Sequence, residues 1–152
     1  MNELWTIIIA ASPVVELRGA IPVAMGIFYF SWSKALILSL IGNLLPIIPI
    51  IWSLGKLSDY LSRKFTFFSN FFNWLFERTR KRTANGFNRW GKWALILFVA
   101  IPLPFTGVWT ASVAAFLFGV KYRQAFWLIS FGAFLAGVLV TILTYFGIII
   151  LS

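Results

Sequence analysis

The sequence predicts an all-α integral membrane protein: an inverted repeat whose halves are each a re-entrant helical hairpin plus a transmembrane helix, joined by an amphipathic cytoplasmic helix. Three observations predict it. The 152 residues are 61% hydrophobic and 11% charged, with mean hydropathy +0.90, which leaves too little polar surface to cover a water-soluble globule. A proline break interrupts a short apolar run in each half, at Ser12-Pro13 and at Pro102-Leu103-Pro104. Nine of the 13 basic residues fall in one polar stretch between Lys56 and Lys92, as the positive-inside rule expects of a cytoplasmic loop.

Composition excludes much chemistry. With no Cys and no His, there are no disulfides, thiolate metal sites or cysteine nucleophiles, and the commonest metal ligand and general base is missing. The four acids, Glu3, Glu16, Asp59 and Glu77, are too few for a carboxylate metal cage. The sequence therefore predicts neither an enzyme nor a metal or cofactor site. A net charge of +9 raises nucleic acid as a partner, but the concentration of basic residues in one membrane-flanking loop argues against it. The N-terminal Met-Asn-Glu-Leu-Trp has no basic region ahead of its apolar run and is expected to be retained.

Residues 4–11 are apolar but too few to cross a hydrocarbon core that needs about 20. The residue before a proline is pushed out of the α region and proline favours a first helical position, so Ser12 is expected to cap a helix restarting at Pro13 and running to about Phe30. Ser31 to Lys34 supply turn residues, an interfacial Trp and a snorkelling Lys. Residues 35–54 are long enough to span, with interruptions expected at Gly42-Asn43 and at Pro46 and Pro49. Carbonyls freed there need partners, and Asn43 is a candidate.

From 57 to 79, apolar residues recur at three- and four-residue spacing with polar ones between them, the pattern of an amphipathic helix. Its Phe-rich face and the basic cluster Arg78, Arg80, Lys81 and Arg82 suit an anionic leaflet; packing against the bundle or a second subunit is the alternative. Residues 94–101 repeat the short apolar piece, Pro102 and Pro104 break it, 105–119 restart it, and 125–151 make a full span. Gly132, Ala133, Ala136 and Gly137 give that span a face for close helix approach.

Gly107 follows Gly19 by 88 positions and Gly132 follows Gly42 by 90, and the parts come in the same order in both halves. The chain divides as repeat 1 (1–55), linker (56–92) and repeat 2 (93–152) of a single membrane domain. If each hairpin re-enters and each half crosses once, the second half runs inverted. Lys121 and Arg123 then join the linker, giving eleven basic residues on that side against Lys34 opposite, where four crossings would give nine against three. Both termini lie outside with hairpins and in the cytoplasm with four crossings.

The candidate site is the stretch Ser12 to Met25. It places Glu16 and Arg18 in an oily segment between Pro13 and Pro22, where each ion costs roughly 2.5–3.5 kcal/mol on insertion scales. Two apart on a helix, they point to different sides, and each needs another partner. If the hairpin tips meet at mid-depth, the N–H groups of the restarted helices near Pro13 and Pro104, with Arg18, make a place for a phosphate or carboxylate. Thr106, Thr110 and Trp109 would add hydroxyls and an amphipathic ring. Glu16, an acid in a low-dielectric site, is the candidate carrier of a coupling proton. The alternative for both charges is structural: pairing with backbone groups, or with each other, around the break.

The segments Glu16-Leu17-Arg18-Gly19-Ala20-Ile21-Pro22 and Pro102-Leu103-Pro104-Phe105-Thr106-Gly107-Val108-Trp109-Thr110 resemble the two signatures of the small multidrug export protein family. That family is similar in architecture to the DedA superfamily, implicated in proton-dependent lipid carrier translocation. The resemblance covers nearly the whole chain. It implies paired re-entrant hairpins and roles for Glu16, Arg18, Pro102, Pro104, Thr106 and Gly107. The second segment lacks the charged residue of the DedA pattern, which weighs against a symmetric two-charge mechanism.

The leading expectation is a small proton-coupled transporter or lipid-carrier translocase for an anionic, phosphate-bearing amphiphile, in a prokaryotic-type plasma membrane. Its partners would be membrane lipid, protons and the amphiphile. Two alternatives remain: a proton-coupled exporter of hydrophobic cations, disfavoured by Arg18, and a membrane-shaping or assembly subunit acting through the linker. A bundle of roughly six helical pieces is thin enough to make a homodimer plausible.

Overall fold

The computed structural model describes residues 1–54, 91–101 and 107–151. The amphipathic segment 57–79, the cluster Arg78, Arg80, Lys81 and Arg82, and Pro102, Pro104 and Thr106 lie outside the described residues. Those described form helices and turns with no strand.

The first half holds α1 (Asn2–Ala11), α2 (Glu16–Gly26) and α3 (Trp32–Leu44), with a helical continuation over 47–54. At 10 and 11 residues, α1 and α2 are each about 15 Å long, half a hydrocarbon core. The break between them falls where Ser12 ends α1 in an extended conformation. Its hydroxyl donates to the Ile9 carbonyl at 2.8 Å and accepts the Val15 N–H at 3.3 Å. The expected cap is therefore present, but it caps a turn, and α2 begins at Glu16 instead of Pro13. Glu16 takes a left-handed conformation, φ +52°, and a helix cannot run through such a residue. α2 also stops at Gly26, short of Phe30.

α3 runs through Gly42-Asn43 without interruption, and the break comes at Leu45-Pro46. Gly42 serves close approach instead: a Cβ there would overlap the Ile7 carbonyl and meet the Ala10 Cβ at 2.8 Å. Pro49 stands in the first turn of the resumed helix, where its missing N–H would have had no helical partner. Trp32–Leu54 spans 23 residues and is long and apolar enough to cross a membrane.

The second half begins with a 3-10 turn, Gly91–Trp93, then α4 (Ala94–Ala100), α5 (Val108–Leu117) and α6 (Tyr122–Leu151). α4 and α5 are again too short to cross, while Tyr122–Ile150, 29 residues, is long and apolar enough to do so. Gly119, at φ +64°, turns the chain from α5 towards α6. The small-residue face of α6 is used as predicted. A Cβ on Gly132 would meet the Ile96 carbonyl at 2.8 Å and the Val99 Cβ at 2.9 Å, and one on Gly137 would meet Leu36 at 2.8 Å.

These contacts fix directions. Glu3 pairs with Lys34 and Gly42 lies on Ile7 and Ala10, so α1 and α3 run parallel. Gly137 packs on Leu36 and Leu40, while Thr141 and Tyr145 share a groove with Trp32, so α3 and α6 run antiparallel. The core between them is aliphatic and small: Leu17, Ile21, Ile47, Leu95, Val99 and Ile129 are buried, with alanines of α5 and α6 letting the helices approach. The outward face of α6 is apolar too, with Trp127, Phe131, Leu143, Phe146 and Ile150 exposed.

Candidate functional site

The break after α1 meets the break before α5. Glu16, 7% exposed, is among the buried residues, and its carboxylate lies so close to Gly107 that any Cβ there would overlap it. Gly107 is the N-cap of α5 and supplies no side-chain cap. The backbone N–H of Trp109, in the first turn of α5, interacts with the Glu16 carboxylate. A carboxylate from one half therefore sits at the positive end of a helix from the other, where unsatisfied N–H groups favour an anion.

Arg18 makes the complementary contact. Its Nη2 donates to the Ile101 carbonyl at 3.5 Å, at the C-terminal end of α4, where carbonyl groups and the helix dipole favour a cation. A third contact runs the other way: the Trp109 indole N–H donates to the Ala11 carbonyl, the last residue of α1, at 3.1 Å. Three ends of broken helices are thus served by side chains from the opposite half. Glu16 and Arg18 also attract each other electrostatically.

Of the expected site residues, Glu16, Arg18, Gly107 and Trp109 come together here, with Thr110 next along α5. Gly19 lies in the first turn of α2 against its own Val15, so it does not repeat the role of Gly107. Pro22 stands inside α2, and Pro13 is exposed in the turn. The positive helix ends lie at Glu16 and Val108, a few residues beyond the prolines expected to mark them.

Asn43 departs from expectation. It is 1% exposed, and neither its amide nitrogen nor its oxygen has a hydrogen-bond partner among the described residues, so it does not serve the carbonyls freed by Pro46 and Pro49. Ser39, one turn earlier and fully buried, and Ser130 on α6 also carry buried hydroxyl oxygens without partners. Sequence reasoning passed over both serines, although Ser39 stands four before Asn43 on the same helix face, a spacing readable in the sequence. No group of three or more metal-ligating side chains occurs among the described residues.

Residues 16–139 match the family model described as "Putative small multi-drug export protein". The chain belongs to this family. The match begins at Glu16, directly after the first break, and takes in the second. No curated protein and no solved structure matches the chain. Family membership and the two long apolar helices make this a membrane protein of an export and transport type.

Proposed function

We propose that this small export-family protein is a proton-coupled secondary transporter for an anionic, phosphate-bearing amphiphile, with Glu16 as the coupling acid and Arg18 beside the anion's seat. The observation that carries the proposal is the Glu16 carboxylate lodged at the N-terminal turn of α5. That position suits any oxyanion, so the carboxylate and a substrate phosphate compete for it. Protonation of Glu16 removes the competing charge and opens the seat. Loss of the proton restores the carboxylate and expels the phosphate. Translocation of a lipid carrier, in which the DedA proteins named above are implicated, is one form of such transport.

The proposed topology is an inverted pair of re-entrant hairpins, each followed by one crossing. The Glu3–Lys34 ion pair supports it, because a single crossing over 4–30 would put residues 3 and 34 on opposite sides of the membrane. The antiparallel packing of α3 and α6 supports it too. So does the recurrence of one contact in both halves: Ile7 and Ala10 against Gly42, then Ile96 and Val99, each 89 positions on, against Gly132. The linker and the α5–α6 turn then face the cytoplasm, as their basic residues favour.

The test is uptake of octyl phosphate by proteoliposomes under an imposed pH gradient. Uptake should follow the gradient and collapse at least tenfold in Glu16→Gln. A Glu16→Gln rate equal to wild type would remove the coupling role. Proton release on adding a hydrophobic cation, with no response to octyl phosphate, would instead support the drug-export reading of the family's description.

A further inference from the structure

Asn43 of α3 and Ser130 of α6 share one layer, with Ser39 a helical turn away from it. Leu36, Leu40 and Asn43 form a stripe along α3, and the two leucines face Gly137 of α6. Ser130 lies two helical turns before Gly137 on the same stripe of α6. Because the helices run antiparallel, two turns back along α6 correspond to two turns forward along α3, which sets Ser130 level with Asn43. Asn43 also follows Gly42, which rests on Ala10 at the end of α1, so this layer has the depth of the turn leading into Glu16. Ser39 is one turn nearer the Lys34 end.

The four polar atoms here, Ser39 Oγ, Asn43 Nδ2 and Oδ1, and Ser130 Oγ, are buried with no hydrogen-bond partner among the described residues. Helical hydroxyls elsewhere satisfy themselves by donating back to a carbonyl four residues earlier: Thr6 at 2.9 Å, Ser112 at 2.7 Å and Thr141 at 2.7 Å. Ser39 and Ser130 do not. A buried amide lacking both a donor and an acceptor partner requires a ligand that both donates and accepts. A metal cation would serve Oδ1 and leave Nδ2 unpaired, whereas water serves both, and a buried water needs two to four such partners.

We infer that Ser39, Asn43 and Ser130 bind a small water cluster that connects Glu16 to the Lys34 end of the molecule and carries its proton. The inference rests on Glu16 as the proton carrier. Each water accepts one proton and passes on another, while the amide and hydroxyls only orient the chain and keep their own protons. Asn43→Leu keeps the branched shape and heavy-atom count and removes the amide without opening a cavity, so its stability should be unchanged or higher.

The test uses the full chain in proteoliposomes loaded with a pH-reporting dye, with octyl phosphate as substrate. Asn43→Leu should lower proton flux at least tenfold while octyl phosphate binding stays within twofold of wild type. Asn43→Ser, which leaves room and polarity for water, should retain more than a third of the flux. Asn43→Leu flux within twofold of wild type would overturn the inference and leave the coupling role of Glu16 standing; no wild-type proton flux under any gradient would overturn both. Where Asn43→Leu does not accumulate, a Ser39→Ala, Ser130→Ala double variant should lower flux at least threefold, and an unchanged flux would overturn the inference as well.

Discussion

At the scale of single residues, Glu16 does two things with one side chain: it caps the N-terminal end of α5, and it places an acid at a helix end that suits an anion. Its left-handed backbone, φ +52°, costs roughly 1–2 kcal/mol for a non-glycine residue, a cost tolerated where the fold needs the carboxylate turned inward. Two substitutions separate the roles. Glu16→Gln keeps an acceptor for the Trp109 N–H, and its thermal stability should stay near wild type while coupling is lost. Glu16→Ala removes the cap and should cost about 1 kcal/mol more in detergent unfolding. Gly107→Ala forces a methyl group into the carboxylate and should destabilise by about 1–3 kcal/mol. Gly26, with open space around its Cβ position, should accept alanine with unchanged or raised stability.

The need for Glu16 and Arg18 to find partners was readable from their two-residue spacing, but the partners were not. They are backbone groups about 90 positions away, at Ile101 and Trp109, and sequence spacing says nothing about main-chain acceptors. The structural alternative for these charges and the functional one describe the same contacts, since a charge that caps a helix end also competes there with a ligand.

At the scale of elements, the glycines of the two long apolar helices perform one job in both halves. Gly42→Ala and Gly132→Ala should each destabilise by about 1–3 kcal/mol, because the atoms they meet include backbone carbonyls that cannot swing aside. Gly147→Ala, with nothing within 4 Å, should be neutral in the same thermal assay. The pairing of Gly42 with Gly132 was legible as an offset. Its use was not: glycine beside asparagine signals a turn as readily as a close contact, and only the neighbouring α1 decides. The helix starts were misplaced for a similar reason, since proline marks the end of one helix more firmly than the start of the next.

Glu3 and Lys34 tie α1 to α3, and Lys34 also stands 4.4 Å from the centre of the Phe30 ring. The hydrogen bond from Lys34 holds the Glu3 carboxyl below its ordinary value of 4.5. The pair's contribution is therefore complete above that value and fades as pH falls through the lowered one. In melts from pH 6 to pH 3, wild type should lose a small increment over Glu3→Gln below the ordinary glutamate range and nowhere above it. The increment is small because both side chains are exposed.

At the scale of the whole molecule, the membrane class was legible because 61% hydrophobic residues admit little else, and the order of parts in each half followed from prolines and run lengths. The meeting of the two breaks was inferred only from the charges stranded in the oily segment, and the contacts of Glu16, Arg18 and Trp109 supply its physical form. For Ser39, Asn43 and Ser130 the four-residue spacing of the first two was legible, but their lack of partners was not, because a lone serine in an apolar run ordinarily bonds its own helix.

The central claim is that two half-depth hairpins enter from opposite faces and meet inside. The chain contains no cysteine, so single cysteines placed at exposed Tyr29, Lys92 and Ile150 can be labelled on intact cells with a membrane-impermeant maleimide. The account predicts labelling of positions 29 and 150 from outside and of position 92 only after the membrane is opened. Labelling of position 29 from outside with position 150 reached only from the cytoplasm would place the second half in four-crossing order and contradict it.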